Sequence, residues 1–358
     1  MRCLALAEAL QERGAICHFI SRTHPGNLID MIRQRGFTVP ALPSSFPQPH
    51  TNAPAGIVQA LHLAHDEWLG CAWQTDAAQT GAILAILQPD WLITDHYALA
   101  HHWEALLRPH YKKLMVIDDL ADRVHNCDLL LDQNLGRQPE DYAGLVPTHC
   151  QVLTGPNYAL LRPEFFAQRP YSLERRQAQP TLRHLLITMG GVDQPNATGQ
   201  VLHALKTCAL PQACRITVVM GQTAPWLQIV RKLAAQMPWP TEVLVNVIDM
   251  AKIMSDSGLA IGAAGSTSWE RCCLGLPTLL VVLADNQRRI ASGLESAGVA
   301  IALGLHNGDQ FSVKLKNAVM HLVNNENVLV TLSQAAAKVT NGCGTNLVAT
   351  QMLRKYAQ

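Results

Sequence analysis

Charged residues are scarce in this chain. Asp, Glu, Lys and Arg make up only 15% of its 358 residues, and the formal net charge is +1. Binding to nucleic acid through bulk electrostatics needs a clear basic excess, so we expect no nucleic-acid partner. Long apolar runs are missing too, since none reaches the length of a membrane span, about 18 to 20 residues. We therefore expect no membrane partner and a cytoplasmic protein.

Cysteine and histidine are present but lack the spacing of a disulfide framework or a metal site. The ten cysteines are scattered and contain no CxxC pair. The histidines at 101 and 102 precede Trp103 and Glu104, which is not the HExxH arrangement that places two ligands one helical turn apart. We interpret the cysteines as small core residues, and we expect neither a metal nor another cofactor.

Hydrophobic residues, by contrast, make up 48% of the chain, and helical and strand-like segments alternate along it. This alternation is typical of α/β proteins with parallel sheets, and the length suits two domains. The pattern predicts two doubly wound, Rossmann-like domains, at 1–154 and 182–358. Prolines and mixed charge interrupt the periodicity at 155–181, which predicts a linker.

Short apolar runs predict the strands, and the rest of the pattern predicts helices and one long loop. We expect a Pro-rich loop at 43–56, a helical region at 57–87, and helices throughout the last fifty residues. The predicted strands and extended segments of the first half are 15–20, 37–42, 91–95, 113–119, 128–131 and 151–153, and those of the second half are 182–191, 214–221, 241–246, 258–265 and 277–285.

The chain begins inside what reads as the first helix of a doubly wound domain, residues 2–13. Such a domain normally opens with a strand that feeds this helix through a ligand-binding turn. Either the fold dispenses with that strand or the sequence starts late. We expect a late start, because a missing strand would expose apolar surface and a sheet edge.

Two loops in the second half carry residue types that bind phosphate. Met189-Gly190-Gly191 lies between a strand and a helix, where paired glycines let the backbone approach a phosphate and the helix start offers N–H groups. Glycine turns after strands are common without a ligand, so this loop alone is weak support. The stretch AAGSTSWE, 263–270, is stronger, because small residues and hydroxyls crowd another helix start. Together the loops point to a nucleotide diphosphate.

Further polar residues follow the predicted strands. A carboxylate at Glu270, on the first helical turn, can accept hydrogen bonds from two ribose hydroxyls, or it can simply favour the helix dipole by about 0.3–1 kcal/mol. Asp285-Asn286-Gln287 ends the next strand in the same region. In the first half, Asp95-His96-Tyr97 and Asp118-Asp119 each end a strand. The alternative there is loop-capping aspartates and a surface histidine.

The chain resembles a known family over nearly its whole length. MRCLALAEALQERGA, TDHYAL, VIDDLADRVHNCDLLLDQN, LTGPNYALLRPEF, MGGVDQPN and GAAGSTSWERCCLGLP, with the trailing ADNQ, are similar to the UDP-2,4-diacetamido-2,4,6-trideoxy-β-L-altropyranose hydrolases of pseudaminic acid biosynthesis. These belong to the glycosyltransferase-B superfamily. The resemblance implies two Rossmann-like domains with an active site in the cleft between them, and a monomer that hydrolyses its UDP-sugar at the anomeric carbon without a metal.

The resemblance also implies the residues that bind the substrate. Gly190 and Gly191 would lie near the diphosphate, and Glu270 would hold the ribose. The remaining implied positions are Tyr97 on the sugar side of the cleft, Ser266 and Trp269 in the second loop, and Asn286 and Gln287 at sugar or phosphate.

One feature of the family is not found in this sequence. There, a Gly-rich loop ends in a histidine two residues before the arginine that Arg2 matches, and that histidine is taken as the general base. Here it would fall before Met1, so we assign no catalytic residue, and His96, His101 and His102 are open as substitutes.

Three functions stay open on this pattern. The first is the UDP-sugar hydrolase. The second is a glycosyltransferase of the same fold, which would need an acceptor site. A lipid acceptor would call for a membrane-facing amphipathic patch, and the first half shows none. The third is a UDP-sugar-binding protein that has lost its catalytic loop.

Overall fold

The computed structural model of the chain describes residues 1–44, 63, 65–308 and 310–354. These fall into two units, Met1–Tyr158 and Ala159–Gln358. Both units are built from parallel strands and helices, as the alternating sequence pattern predicts. Within the described ranges, no helix combines the length and hydrophobicity needed to cross a membrane.

The first unit contains a four-stranded parallel sheet and a separate two-stranded parallel sheet. Its strands are β1 (Ser21–Arg22), β2 (Ala41–Leu42), β3 (Trp91–Thr94), β4 (Lys113–Ile117), β5 (Leu129–Asp132) and β6 (Gln151–Thr154), and its helices are α1 (Arg2–Gln11), α2 (Ile29–Gln34), α3 (Trp73–Leu87) and α4 (His101–Leu107). The larger sheet has the order β3-β4-β5-β6, and β1 pairs with β2.

Two hydrophobic clusters hold the first unit together. Leu84 of α3 and Trp103 of α4 pack with Leu114 and Leu130 of the larger sheet. Residues of α1 and α2 pack with the extended segment that includes Phe37. The helices therefore bury their apolar faces against strands, the main source of their stability.

The second unit contains a six-stranded parallel sheet. Its strands are β7 (His184–Thr188), β8 (Arg215–Met220), β9 (Thr241–Val245), β10 (Leu259–Ala263), β11 (Thr278–Val282) and β12 (Ile301–Leu305), and its helices are α5 (Pro163–Ala178), α6 (Ala197–Leu205), α7 (Leu227–Ala234), α8 (Met250–Asp256), α9 (Thr267–Cys273), α10 (Arg288–Ser296), α11 (Phe311–Asn324), α12 (Glu326–Val339) and α13 (Gly344–Leu353).

The strand order of this sheet is β12-β11-β10-β7-β8-β9. Numbered from β7, this is the order 6-5-4-1-2-3, which is the Rossmann order read from the other edge. Every residue of β7, β10 and β11 is buried, which explains why these strands read as continuous apolar runs. The chain reverses its direction of travel across the sheet between β7 and β10, and such a switch point leaves a crevice at the carboxyl ends of the strands.

Residues 155–181, which we expected to be a linker, contain the sixteen-residue helix α5. Pro163 suits the first helical turn, where a missing N–H costs nothing. Three arginines of α5 donate to backbone carbonyl groups at the carboxyl ends of other helices. Arg169 reaches α9 and α12, Arg175 reaches α8, and Arg176 reaches α8 and α9. The charged residues that suggested a linker therefore form hydrogen bonds between helices of the second unit.

Other segments differ from the sequence pattern. Residues 15–20 hold only an isolated bridge between His18 and Thr38, and the strand forms just after them, at Ser21. The pattern did not predict β12, whose apolar run is interrupted by Gly304, where the pairing with β11 shifts register. The expected loop at 43–56 and the start of the helical region at 57–87 lie largely outside the described residues, and α3 begins at Trp73.

The α5 arginines yield a stability prediction. Arg176→Met should lower the free energy of unfolding by about 2–4 kcal/mol, because the carbonyls of Met254, Ser257 and Leu274 lose a charged donor. Urea unfolding measures the change. Arg231, exposed on α7, provides the control, and R231M should shift stability by less than about 0.5 kcal/mol. An unchanged urea midpoint in R176M would contradict the prediction.

Candidate functional site

The two loops singled out by the sequence meet at the switch point of the second unit. Strands β7 and β10 are direct neighbours, and Thr188 at the end of β7 pairs with Gly262 near the end of β10. The Gly190-Gly191 loop follows the first strand, and the loop that leads to Ser266 follows the second. The topology therefore brings together two segments that are about seventy-five residues apart in the sequence, at the edge where doubly wound sheets bind ligands.

The Gly190-Gly191 loop is closely packed on one side and open on the other. Gly221, just after β8, donates its N–H to the carbonyl oxygen of Gly191 at 2.9 Å. A Cβ atom on Gly221 would lie 2.2 Å from that oxygen, so only glycine fits there. By contrast, no atom of the described residues lies within 4 Å of a Cβ position on Gly190 or Gly191, and Gly190 adopts φ +87°. The hydrogen bond from Gly221 thus holds the loop backbone in place, while the side of the loop where the Cβ atoms would lie is open to a ligand.

The helix after this loop does not offer its N-terminus to a ligand. Buried Asp193 accepts hydrogen bonds from the N–H groups of Ala197 and Thr198, both at 2.9 Å. Asn196 accepts from the N–H of Gly199 at 3.2 Å. The N-terminus of α6, which we expected to face a phosphate, is capped by the protein itself. An anion at this loop would meet the glycine backbone instead.

The second loop exposes Ser266 and buries Trp269. Ser266 stands at the N-cap of α9, where its side chain makes no capping hydrogen bond. Trp269 is only 1% exposed, and its indole N–H has no partner among the described residues. This corrects the expectation that Trp269 contacts a substrate, because so little of its ring is accessible.

Glu270 is half-buried on the first turn of α9. Burial raises the pKa of its carboxyl to about 7, although the positive charges of Arg162 and Arg271 act in the opposite direction. Among the described side chains, none donates a hydrogen bond to this carboxylate. A carboxylate with free acceptor sites at a ligand-binding edge suits a pair of hydroxyl donors.

Gln287 joins this loop, and Asn286 stays at the surface. A short 3₁₀ turn, Asp285–Gln287, follows β11. The side-chain oxygen of Gln287 accepts from the N–H of Leu283 at 3.0 Å, which turns its amide nitrogen toward Gly265. That nitrogen is 3.9 Å from a Cβ position on Gly265. Asn286 is exposed.

Sequence reasoning missed one charged residue of this site, Arg271. Its guanidinium is buried directly under the second loop, where it donates to the carbonyl oxygen of Ala263 at 2.7 Å. It also donates to the hydroxyl oxygens of Ser268 and Thr267, at 3.0 and 3.2 Å. The sequence motif already contained this residue, because an arginine follows Glu270 on a short helix that the fold must bury.

In the first unit, Arg2 joins two of the predicted carboxylates. Its Nε and Nη2 donate to Asp95 at 3.0 and 2.7 Å, and its Nη1 and Nη2 donate to Asp119 at 3.1 and 2.8 Å. The Oη of Tyr97 donates to Asp119 at 2.7 Å. Burial opposes ionisation of Asp95, but the ion pair with Arg2 holds the pKa of Asp95 below its ordinary value. These residues, which we call the Arg2 cluster, lie at the carboxyl ends of β3 and β4.

Asp118 and His96 interact with other residues of the first unit and do not belong to the Arg2 cluster. Asp118 is fully buried, pairs with Arg123 at 2.8 Å and accepts from the hydroxyl of Tyr142 at 3.0 Å. His96 accepts from the N–H of Ala98 through Nδ1 at 3.1 Å, and burial lowers the pKa of its imidazole. With Nδ1 occupied in this way, His96 is poorly suited to take a proton from water there.

His101 and His102 stack on each other at the start of α4, with ring centroids 3.6 Å apart. Burial and the neighbouring His102 lower the pKa of His101. The ring of His102 also lies 5.9 Å from that of Trp73 on α3. Both rings therefore take part in packing between two helices, and no hydrogen bond of the described residues links them to the Arg2 cluster.

A comparison with known protein families found a match within the second unit. Residues 184–344 match the model of the Glycosyltransferase family 28 C-terminal domain. The match begins with β7 and ends at the start of α13, so it includes both loops.

Whole-chain comparisons confirm the fold. The crystal structure of MurG from Acinetobacter baumannii has a TM-score of 0.69 at 16% identity, covering 99% of this chain and 95% of that one. Arabidopsis thaliana UGT89C1 complexed with UDP has a TM-score of 0.61 at 12% identity, covering 98% and 95%. The chain is α/β with the glycosyltransferase-B fold, as predicted.

The resemblance inferred from the motifs is also confirmed. The chain is similar to the UDP-2,4-diacetamido-2,4,6-trideoxy-beta-L-altropyranose hydrolase of Campylobacter jejuni. The two are 28% identical over 211 residues, which cover 59% of this chain and 72% of that protein.

The burial of Glu270 predicts a pH-dependent stability. Because the pKa of this carboxyl is raised from 4.5 to about 7 in the folded state, the protein loses stability as pH rises from about 4.5 to about 7, and the loss is complete above pH 7. The neutral amide of Glu270→Gln lacks this cost, so its advantage in melting temperature over the wild type should grow between pH 5 and pH 8. Calorimetry of both proteins at both pH values checks this, and a constant difference would refute it.

Proposed function

We propose that this protein is an enzyme that acts on a UDP-sugar, and that it hydrolyses UDP-2,4-diacetamido-2,4,6-trideoxy-β-L-altropyranose to UDP and the free sugar. The observation that carries the proposal is the meeting of the two loops at the switch point of a Rossmann-ordered sheet, within the part of the chain that matches the family model. Similarity to the Campylobacter jejuni hydrolase supports the substrate and the reaction.

In this proposal the second unit binds the UDP. The open backbone of Gly190 and Gly191 and the exposed start of α9 at Ser266 meet the diphosphate, because backbone N–H groups are accessible at both places. Glu270 accepts the two ribose hydroxyls with its unoccupied carboxylate oxygens. Gln287, held against the second loop, donates its amide N–H₂ to sugar or phosphate oxygens, with Asn286 beside it.

The role of these loops in the reaction is to stabilise negative charge. A water oxygen attacks the anomeric carbon, the bond from that carbon to the diphosphate oxygen breaks, and UDP leaves with the electron pair, while the attacking water releases one proton to solvent. Negative charge grows on the leaving oxygen, and donors already aimed at that position lower the barrier because they need no reorganisation. The backbone of the Gly190-Gly191 loop is fixed by Gly221 and so meets this condition.

In the first unit, the residue that the resemblance implies for sugar binding is Tyr97, which belongs to the Arg2 cluster. Tyr97 is half-buried beside two carboxylates and can present its ring to the sugar. Asp95 is a poor proton acceptor, since its pKa is held low, and its role is to orient the guanidinium of Arg2. The positions of His96, His101 and His102 give none of them the role of base in this proposal.

A glycosyltransferase is the second candidate, and one observation favours it. The family whose model matches residues 184–344 is a glycosyltransferase family. In that case the same loops would hold UDP, and a hydroxyl of an acceptor would replace water.

A proton NMR time course distinguishes these functions. The chain is incubated with UDP-diacetamido-trideoxy-altrose in buffer without an acceptor, and line broadening of the ligand reports binding while new anomeric signals report the free sugar. Hydrolysis predicts stoichiometric release of sugar and UDP. Broadening without release, followed by transfer once an acceptor is added, would favour the transferase. No broadening would refute a UDP-sugar site.

Glu270 provides a binding test. Glu270→Ala should weaken UDP binding by about ten- to a hundredfold, because a charged acceptor of two hydroxyl groups is lost. Glu326, an exposed carboxylate on the first turn of α12, is the matched control, and E326A should leave the dissociation constant unchanged. Isothermal titration calorimetry measures both. Equal affinities for E270A and the wild type would remove Glu270 from the site.

A further inference from the structure

Arg271 carries a buried positive charge that forms no ion pair with a carboxylate of the described residues. It is only 1% exposed. Its Nε has no hydrogen-bond partner among these residues either. Burying a charge without an oppositely charged partner is costly, so the contacts of the guanidinium decide what its role can be.

The guanidinium lies between the ends of the two strands that form the switch point. Its Nη2 donates to the carbonyl oxygen of Ala263, the last residue of β10. A Cβ on Gly262 would lie 2.5 Å from Nη1 and 3.1 Å from the carbonyl oxygen of Thr188, the last residue of β7. Glycine at 262 thus leaves the space that the guanidinium fills, directly beneath the edge where the two loops meet.

The other contacts of Arg271 determine which way two hydroxyl groups of the second loop point. A guanidinium has only donors, so the hydroxyl oxygens of Thr267 and Ser268 must accept from it. The proton of each hydroxyl then points elsewhere. Ser268 is buried, but Thr267 is half-buried at the start of α9, where its O–H is available as a donor to a group on the loop.

Arg176, the other buried arginine among the described residues of this unit, shows what a purely structural arginine does. Arg176 is equally without a carboxylate partner, yet all of its contacts are with carbonyl oxygens at helix ends, from Met254, Ser257 and Leu274. Only one contact of Arg271 is with a carbonyl oxygen, that of Ala263 at the end of β10. The other two are with side-chain hydroxyls of the loop, which a role in capping a strand end does not require.

We propose that Arg271 is a positioning residue for the diphosphate of the bound nucleotide. From beneath the loop it supplies the positive charge that attracts the phosphates, and it turns the hydroxyl of Thr267 into a donor toward them. The inference rests on the proposed function, since it assumes that the loop meets a nucleoside diphosphate. The ligand class it selects is an anionic nucleotide rather than a nucleoside.

The test compares ligands that differ only in phosphate charge. Calorimetry and ligand-observed NMR give the dissociation constants of UDP, UMP and uridine for the wild type, R271M and the control R176M. We expect R271M to lose about tenfold or more in affinity for UDP, less for UMP, and less than about twofold for uridine. R176M removes an equally buried arginine that contacts the carboxyl end of α9 instead of the loop hydroxyls, so any loss in affinity should be the same factor for all three ligands.

The outcomes separate a positioning role from a structural one. Equal losses for UDP and uridine in R271M would mean that the loop has merely collapsed, and the proposal would be overturned. If the wild type itself binds uridine and UDP equally, or binds neither, the proposed UDP site fails before any variant is considered.

A second pair of variants covers the case in which R271M does not fold. T267V removes only the hydroxyl that Arg271 orients, and T267S keeps it. We expect T267V to bind UDP roughly fivefold to tenfold more weakly while T267S stays close to the wild type, the loss expected for one hydrogen bond to a charged group. Equal affinities of T267V and T267S for UDP would overturn the proposal on their own.

Discussion

Hydrogen bonds from the arginines of α5 to helix carbonyls are the interaction on which the second unit depends. The carboxyl end of a helix carries partial negative charge and unsatisfied carbonyl oxygens, so a buried guanidinium there meets both needs at once. Arg169 and Arg176 hold the end of α9, a helix of only seven residues. Because so short a helix spans roughly 10 Å, fixing its carboxyl end also fixes the loop at its start. The geometry of the candidate site is thus set from the opposite end of α9.

The sequence was sufficient for the features that depend on local pattern. The Gly190-Gly191 turn and the hydroxyl-rich start of α9 each follow an apolar strand, and this order of strand, small residues and helix is visible within about ten residues. That the two loops meet is a property of strand order, which the pattern does not encode. It could be expected only because doubly wound sheets share a switch point.

The features that the sequence did not reveal are contacts between distant residues. Arg2 reaches Asp119 across 117 positions, and Arg169 reaches Thr340 across 171. Periodicity carries no sign of such pairs, and the same arginines look like solvated charge when read locally. Trp269 and Asp193 show a different limit, because the motif identified their neighbourhood but not whether each side chain faces a ligand or the protein.

The position of α5 also determines where the chain can be divided. A fragment that starts at 182, where the strand pattern resumes, would omit the whole helix. The carbonyl oxygens of Leu274, Ser257 and Thr340 would then lose their arginine donors, and an apolar surface on α8, α9 and α12 would be uncovered. A fragment that starts at Ala159 retains the helix and its arginines. A fragment meant to contain the complete second unit should therefore begin 25 residues before the first strand of that unit.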